Sequence, residues 1–276
     1  VNTNKKDPAD FTLWKKTKDI GKKWDSPFGM GRPGWHTECV VMIDKIFGGM
    51  IDIHGGGNDL KFPHHENEIA QSLALNKHMI AKYWLHNARI DLSGEKMSKS
   101  LGNVIWLKDI IEEYPPQAYR LFVLANHYRQ TINYNNELMG KMALEWEKLE
   151  KAYISLYRKL ELAESNFEGK VLEVIDEFLK EMAYDFNTAN ALSVMYNHLK
   201  TINKDLRNKY ITIEELNNDF VTLKAMFDIF GLYVDINPLL PEEKSLVNSW
   251  YFARSNKNFE EADKLRNEII AKGIRL

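Results

Sequence analysis

Residues 50–76 read MIDIHGGGNDLKFPHHENEIAQSLALN, and the pattern within this stretch decides the fold of the first part of the chain. A short apolar segment, 50–53, leads directly into His54 and three glycines. A helix then opens at Phe62 and reaches about Asn76, because a proline is tolerated in the first helical turn. The stretch therefore predicts a strand, a glycine turn and a helix.

The flanking segments extend this alternation. Residues 1–34 show no sustained period and hold many glycine, proline and lysine residues, which predicts a surface connection. The apolar run 39–43 is too short to decide between a buried strand and the first turns of a helix. A strand over 83–92 precedes the loop SGEKMSKSLGN, after which helical sequence resumes near Leu107. Strands that alternate with helices predict a parallel α/β sheet.

From about residue 137 the apolar residues recur at helical spacing instead. The first stripe consists of Met142, Trp146, Leu149, Tyr153, Leu156 and Leu160. Similar stripes over 171–182, 192–202 and 213–230 predict three more amphipathic helices. Short polar loops join the four, which favours an antiparallel four-helix bundle. One further helical stretch follows Pro238 and ends at Gly273, a typical residue for a helix C-terminus.

Composition excludes several classes of protein. The 276 residues carry a formal net charge of -2, so a uniformly basic coat for nucleic acid is absent and any RNA contact requires local clusters of Lys and Arg. The longest apolar runs fall short of the roughly 20 residues that a membrane-spanning helix needs. The single cysteine excludes an intrachain disulfide and fits a reducing cytoplasm. Its thiol is available for a metal or for catalysis, although a buried inert thiol is the commoner case.

Cys39, His64 and Glu68 form a candidate metal site. His64 and Glu68 are four residues apart near a helix start, so both side chains project from one helical face. Cys39 could add a thiolate from a neighbouring strand, and this ligand set favours zinc. The alternative is a solvated, charged helix start. A metalloprotease HExxH helix is excluded because Ile69 stands where its second histidine belongs.

Two further segments have compositions suited to nucleotide binding. The loop that contains Lys96 and Lys99 carries two ammonium groups and two hydroxyls between glycines, which suits closure over a polyphosphate. Its alternative is a solvated basic hairpin tip. His54 and the glycines 55–57 lie where a strand end meets a helix start, the usual ligand position of open α/β sheets. A glycine triplet alone is a weak signal.

The order of three segments is more specific than any of them alone. GRPGWHTEC at 31–39, DIHGGGNDLKFPHHENEIAQS at 52–72 and GEKMSKSLGN at 94–103 resemble the catalytic-domain signatures of bacterial cysteinyl-tRNA synthetases, which are class I aminoacyl-tRNA synthetases. The resemblance continues through YDFNTANAL at 184–192 and NFEEADKLRNEIIAKGI at 258–274. It covers essentially the whole chain and implies the C-terminal portion of such an enzyme.

The resemblance also implies a domain order, in which an α/β part precedes an all-α part. Residues 1–110 would be the second half of a Rossmann-type catalytic domain, with 1–34 the end of an inserted segment. Residues 111–136 would form a connecting region that contacts the tRNA stem. Residues 137–235 would form the tRNA-binding helical bundle. Residues 236–276 would be an incomplete C-terminal tRNA-binding segment.

Residue roles follow from the same resemblance. Cys39, His64 and Glu68 correspond to ligands of one zinc ion per subunit, with a further cysteine ligand in an N-terminal segment. The second lysine of the KMSKS loop, Lys99, would bind ATP phosphates, and Lys96 is the first lysine of that loop. The remaining assignments are His54, Gly55, Gly56 and Asp59 beside ATP, and Trp35 and His36 at the amino-acid pocket. For this last pair, ordinary core packing is an equally good interpretation.

The implied reaction is ATP-dependent activation of L-cysteine, with Mg²⁺, followed by transfer to tRNA(Cys). Zinc would select the substrate thiol, because it binds a thiolate far better than a hydroxyl. The protein is expected to be a cytoplasmic monomer that does not bind membranes. The histidine-containing HIGH signature of the family is not in this chain, so the chain alone is expected to be inactive.

Two alternatives remain open. A ligase that joins cysteine to an amino sugar in thiol-cofactor synthesis shares the zinc and KMSKS features, but the helical C-terminal part favours the synthetase. A noncatalytic zinc-binding or RNA-binding module is the alternative from a different class.

Overall fold

The computed structural model describes residues 5–17, 21–97 and 102–276. The chain divides into a first unit, Val1–Arg89 with Tyr128–Thr131, and a second unit, Ile90–His127 with Ile132–Leu276. The first is α/β and the second is mainly helical, which confirms the predicted combination of α/β and all-α parts. Within the described ranges, every helix is too short or too polar to cross a bilayer.

The first unit is built around a pair of parallel strands. Its elements in chain order are β1 (Trp14–Lys16), β2 (Gly31–Pro33), α1 (Trp35–Phe47), β3 (Ile51–Gly57), α2 (Glu66–Asn76) and β4 (Ala81–Asn87). β3 and β4 run parallel, with His54 opposite Trp84, as the alternation of strands and helices predicts. β1 and β2 form an antiparallel pair that the irregular composition of 1–34 did not predict.

The run 39–43 is helical, so Cys39 lies on α1 and the expectation that it comes from a strand is wrong. Val40 and Ile43 are the buried residues of α1 and pack against Ile80 and Ala81. Gly48 ends the helix in a left-handed conformation with φ 77°. Glycine adopts this conformation at low cost because it has no Cβ atom.

The connection between β3 and α2 also differs from the expected glycine turn. Gly55–Gly57 continue β3 and pair with β4, so the chain turns only after them. Phe62 has an extended conformation, φ -134° and ψ 132°, because the residue before a proline is excluded from the helical region. Regular α-helix therefore begins at Glu66, four residues later than the sequence pattern predicts.

The second unit contains the remaining elements. They are β5 (Ile90–Leu92), β6 (Glu95–Lys96), α3 (Leu107–Glu113), α4 (Pro116–Leu124), β7 (Ile132–Tyr134), α5 (Asn136–Leu162), α6 (Val174–Ala183), α7 (Thr188–Asp205), α8 (Ile213–Phe230), α9 (Pro241–Ser255) and α10 (Phe259–Ala271). β5 pairs antiparallel with β6 and parallel with β7. The single strand predicted over 83–92 is instead divided between β4 and β5.

Helices α5 to α8 occupy the four predicted helical segments and share one apolar core. Leu156, Phe178, Met195 and Leu223 contribute to it from the four helices, and each is fully buried. Thr212 begins α8 with a capping box, in which the Thr212 side chain accepts from the Glu215 N–H and the Glu215 carboxylate accepts from the Thr212 N–H. The antiparallel arrangement of a four-helix bundle stays a prediction.

The segment after Pro238 forms two helices where the sequence pattern predicted one. The break at 256–258 ends with Asn258, whose side chain accepts a hydrogen bond from the Glu261 N–H and caps the start of α10. α9 and α10 pack against each other through a small core of their own that includes Trp250 and Ile269. Gly273 has a left-handed φ of 71° directly after α10, as expected at a helix C-terminus.

Asp219 is a buried carboxyl group within the helical core and leads to a pH prediction. Burial, followed by repulsion from Asp205 and Glu215, raises the pKa of Asp219 to about 7. His198 lies 3.9 Å away through Nε2, but burial lowers its pKa and keeps it neutral. The folded state therefore keeps a proton on Asp219 that the unfolded chain releases near pH 4, and the free energy of unfolding falls between about pH 4 and pH 7.

Replacing Asp219 by asparagine is expected to raise the free energy of unfolding by about 2 kcal/mol at pH 8 and to change it little at pH 4, because the amide imitates the protonated acid. Urea unfolding at both pH values, followed by circular dichroism, measures the difference. Asp228→Asn is the control, since Asp228 is an exposed carboxylate on the same helix and pairs with Lys224. Equal effects of the two changes at pH 8 would contradict the assignment.

Candidate metal and nucleotide site

The first unit brings Cys39, His64 and Glu68 together. Their candidate ligand atoms all lie within 4.8 Å of one another. His64 Nε2 is 3.8 Å from Cys39 Sγ and 3.0 Å from Glu68 Oε1. Cys39 comes from α1, His64 from the turn before α2, and Glu68 from the first turn of α2. The four-residue spacing of His64 and Glu68 thus places both side chains on the face of this helical segment that faces α1.

Glu68 is the most deeply buried member, with an exposed fraction of 0%. Its second oxygen, Oε2, lies 3.0 Å from Nε2 of His54, in the middle of β3. These contacts are close but poorly directed, and neither carboxylate oxygen completes a hydrogen bond of ordinary geometry with a described residue. A buried carboxylate in this condition requires a cation or a well-aligned donor.

The charges of the site also favour a cation. Burial alone would raise the pKa of Glu68, but the close His54 and Cys39 groups hold it below its usual value, so the carboxylate is ionised. Burial and then the neighbouring Glu68 raise the pKa of the Cys39 thiol to about 11. A divalent cation between thiol and carboxylate would remove this repulsion and favour the thiolate, which is the ligand form.

The donor set and spacings fit zinc. Tetrahedral zinc with ordinary bond lengths separates a nitrogen from a sulfur by about 3.6 Å and a nitrogen from a carboxylate oxygen by about 3.4 Å. The corresponding separations here are 3.8 and 3.0 Å, so small side-chain rotations suffice. A thiolate, an imidazole and a carboxylate are three protein ligands, which leaves one tetrahedral position for a further group.

Trp35 and His36 lie beside His64 and hold its ring. The Trp35 and His64 rings stack with centroids 4.0 Å apart. His36 Nδ1 and His64 Nδ1 are 2.6 Å apart, so one of them donates to the other. Burial, followed by repulsion from His64, lowers the pKa of His36 and keeps it neutral. With the shared proton on His64 Nδ1, the Nε2 lone pair of His64 is directed towards Cys39 and Glu68.

Trp35 and His36 also line a cavity of about 600 Å³. Lys5, Lys15 and Arg32 contribute positive charge to its wall, and Asp10 and Glu38 contribute negative charge. The volume exceeds what one small amino acid fills, and the cations suit an anionic group on the ligand. The family resemblance implies an amino-acid pocket at Trp35 and His36, and both residues lie in this cavity wall. Their binding of the amino acid stays a prediction.

His65 and His86 were missed by the sequence analysis. His65 Nδ1 is 2.8 Å from Nε2 of His86 on β4. The pKa of His65 is lowered to about 4, mainly by burial. His54, His65 and Glu68 form a second group whose ligand atoms lie within 4.8 Å, so Glu68 is shared between two clusters. The sequence carries only a weak signal for this pairing, because His86 lies near the end of β4 and the carboxyl ends of parallel strands are the usual ligand position.

The glycines after His54 have a role in packing. A Cβ atom on Gly56 would lie 2.8 Å from His65 Cε1, so only glycine lets that ring approach β3. A Cβ atom on Gly57 would lie 2.6 Å from Asp59 Oδ1. Gly55 and Asp59 are exposed on the same segment. These positions fit the local chain path, and binding of ATP by His54, Gly55, Gly56 and Asp59 stays a prediction.

The lysine loop belongs to the second unit. Lys96 lies exposed in β6, and its carbonyl accepts from Asn103 Nδ2 at 3.2 Å. The Gly94 N–H donates to Asn133 Oδ1 at 2.7 Å, which fixes the start of the loop. Lys99 falls outside the described residues. Its assignment as an ATP-binding and catalytic residue stays a prediction.

Known proteins resemble both parts of this architecture. Residues 177–235 match the DALR domain. A cysteine--tRNA ligase of Anoxybacillus flavithermus is 44% identical over 281 residues, which cover 99% of this chain and 60% of the relative. One from Acholeplasma laidlawii is 43% identical over 274 residues, with 99% and 61% covered. The chain thus spans about 60% of the length of the curated relatives it matches.

Solved structures support the fold. An Agrobacterium radiobacter LeuRS, in a ternary complex with tRNA and LeuAMS, matches with a TM-score of 0.58 at 15% identity, over 79% of this chain and 32% of that one. A putative arginyl-tRNA synthetase from Campylobacter jejuni matches with a TM-score of 0.50 at 14% identity, over 74% and 52%. Residues 1–145, more than half of the chain, match the family described as tRNA synthetases class I (C) catalytic domain, and the chain belongs to that family.

Proposed function

We propose that a protein carrying this chain activates L-cysteine with ATP and Mg²⁺ and transfers it to tRNA(Cys) in the cytoplasm. The observation that carries the proposal is the cluster of half-buried Cys39 with buried His64 and Glu68, whose carboxylate lacks a well-directed protein donor among the described residues. Kinship to cysteine--tRNA ligases at 42–44% identity supports the same substrate.

Selection of cysteine over serine requires more than a pocket of the right size. The two amino acids differ mainly in sulfur against oxygen, and size alone separates such near-isosteres by roughly two orders of magnitude at best. Zinc held by Cys39, His64 and Glu68 would supply preferential binding of a thiolate over a hydroxyl. His36 and Trp35 keep the His64 ring in place, and the cations around the adjacent cavity attract the carboxylate of the amino acid.

Amino-acid-dependent exchange of pyrophosphate into ATP by the full-length protein tests this proposal. Cysteine should support exchange, and serine should be weaker by more than about a hundredfold. Exchange with serine within tenfold of cysteine, or none with cysteine, would refute the proposed substrate.

Lys96 and Lys99 are proposed to neutralise the phosphates of ATP as charge moves during adenylate formation. Lys99→Ala in the full-length protein should slow cysteine-dependent exchange by a factor of roughly ten to a thousand and leave cysteine binding unchanged, as expected for a contact made in the transition state. The control is Lys108→Ala, which removes an exposed lysine whose Nζ lies 4.0 Å from Asp109. Parallel loss of cysteine binding would show that Lys99 is misassigned.

A groove in the second unit is a suitable contact for RNA. It has a volume of about 540 Å³ and is lined by Lys151, Arg254 and Arg266, together with Asp263. Phe259, also in its lining, is 65% exposed. Cations beside an exposed aromatic ring bind phosphate and stack on bases, which is the usual combination in single-stranded nucleic-acid sites. We propose that this groove holds part of the tRNA.

The first unit on its own leaves much apolar surface exposed. Ile46 and Phe47 on α1 are 70% and 64% exposed, and Ile53 and Tyr83 on the paired strands are 56% and 67% exposed. Among the described residues, β3 and β4 pair only with each other. Further chain is therefore proposed to cover these faces in the active enzyme, and residues 1–276 alone are proposed to be inactive.

A further inference from the structure

Arg158 and Glu161 on α5 form an ion pair that is removed from solvent. Arg158 Nη1 donates to Glu161 Oε2 at 2.6 Å, and the two side chains are 4% and 5% exposed. Burying two charges is unfavourable unless their remaining donors and acceptors are also satisfied. The role of the ion pair therefore depends on which groups form the remaining hydrogen bonds of Arg158 and Glu161.

The remaining bonds reach two segments outside α5. Arg158 Nη1 also donates to the Asn237 carbonyl at 2.9 Å, and Arg158 Nε donates to the Arg275 carbonyl at 2.9 Å. Glu161 Oε1 accepts from the Leu239 N–H at 2.6 Å. The segment 237–239 leads into α9, and Arg275 follows α10. The pair thus holds both ends of the α9–α10 hairpin to one helix.

A second tether acts at the same end of the hairpin. Arg275 Nη2 lies 2.6 Å from Glu150 Oε2, and Arg275 Nη1 donates to the Asp235 carbonyl at 3.1 Å. The buried apolar core of the hairpin is small and is contributed by α9, α10 and the Leu239 connection, and from α5 only the partly buried Leu162 packs against it. The polar tethers therefore contribute strongly to the orientation of the hairpin on α5.

This orientation determines the shape of the groove described above. Lys151 and Ser155 reach the groove from α5, whereas Arg254 and Phe259 reach it from the hairpin. Arg254 Cζ lies 4.9 Å from the centroid of the Trp250 ring, which keeps that guanidinium at the groove wall. A groove with walls on two elements keeps its width only while the elements are held together.

We infer that Arg158 and Glu161 are positioning residues for RNA, acting through the groove without touching the RNA. The inference rests on the proposed function of the groove. It predicts that losing the tethers weakens tRNA binding without affecting the activation of cysteine, since the metal site belongs to the first unit.

The test uses the full-length protein and two variants. Arg158→Met removes the bonds from Arg158 to Asn237 and Arg275 and leaves Glu161 unpaired with a cation in the interior. The double change Arg158→Met with Glu161→Met also removes the bond from Leu239 to Glu161, but it replaces both charges by apolar side chains, which restores stability. Lys148→Met is the control, because it removes a cation of the same helix from an exposed pair with Glu145.

Both tether variants should raise the KM for tRNA about tenfold or more, with kcat and cysteine-dependent exchange within twofold of the parent. Backbone amides of 236–276 should exchange faster with deuterium, while those of α5 to α8 stay protected. Lys148→Met should change none of these quantities. If the double variant had the parental KM for tRNA, the ion pair would serve only the stability of the fold. This result would overturn the inference.

The hydrogen-exchange measurement also separates this inference from the proposed function. If the parent protein failed to charge tRNA, the proposed function would fail on that result alone. Unchanged amide protection over 236–276 in both tether variants would refute the tether itself, whatever the activity of the parent.

Discussion

Glutamine in place of Glu68 is expected to empty the metal site and to lower cysteine-dependent pyrophosphate exchange by about a hundredfold or more. The carboxamide is neutral and a weaker ligand, and it cannot balance the charge of a cation held by Cys39 and His64. Because Glu68 is completely buried and its oxygens face His54 and His64, water cannot easily take its place.

Zinc content by plasma emission spectrometry measures the first effect, and the exchange assay measures the second. The matched control is Glu66→Gln, which makes the same chemical change two residues away on an exposed side of α2. The control should retain about one zinc per chain and full exchange. Full zinc content in Glu68→Gln would show that the zinc is held elsewhere in the protein.

Residues 1–276 alone should show cysteine-dependent exchange at least about a thousandfold below the full-length protein, because the proposed reaction depends on holding ATP and cysteine together in one preorganised site. The exposed apolar faces of α1 and of the β3–β4 pair support the proposal that further chain completes this site. Exchange assays on both proteins, with circular dichroism to confirm helical content, measure the effect. Exchange by residues 1–276 at a rate near that of the full-length protein would refute the requirement.

The helical segments of the second unit could be predicted because their apolar residues repeat every three to four positions over many turns. Leu149, Leu156 and Leu160 lie on one face of α5 and are all fully buried, as that periodicity implies. The break between α9 and α10 was missed because both helices continue a similar pattern. The helix boundary depends on the hydrogen bond that the Asn258 side chain accepts at the start of α10. It does not depend on the spacing of the apolar residues.

Short strands were harder to predict for a related reason. β1 and β2 have three residues each, too few for an alternating pattern, and each is stabilised by its pairing with the other. The glycines of β3 resemble a turn in the sequence, yet they pair with β4, and Gly56 leaves room for the His65 ring against the strand. This requirement arises from tertiary contact and is invisible to local propensity.

The metal cluster could be proposed from sequence because His64 and Glu68 have helical spacing and the chain has one thiol. The involvement of His54, His65 and His86 could not be proposed in the same way. His54 and His65 lie close to Glu68, and His86 lies close to His65, only because β3, β4 and the start of α2 pack together.

Transfer of radiolabelled cysteine is the measurement that tests the central claim most directly. The full-length protein, ATP and Mg²⁺ are incubated with unfractionated tRNA in one reaction and with an amino sugar in another. We predict label on tRNA through an alkali-labile ester, no label on the amino sugar, and loss of transfer in Glu68→Gln but not in Glu66→Gln. Label on the amino sugar with none on tRNA would contradict the proposed function and favour a ligase of thiol-cofactor synthesis.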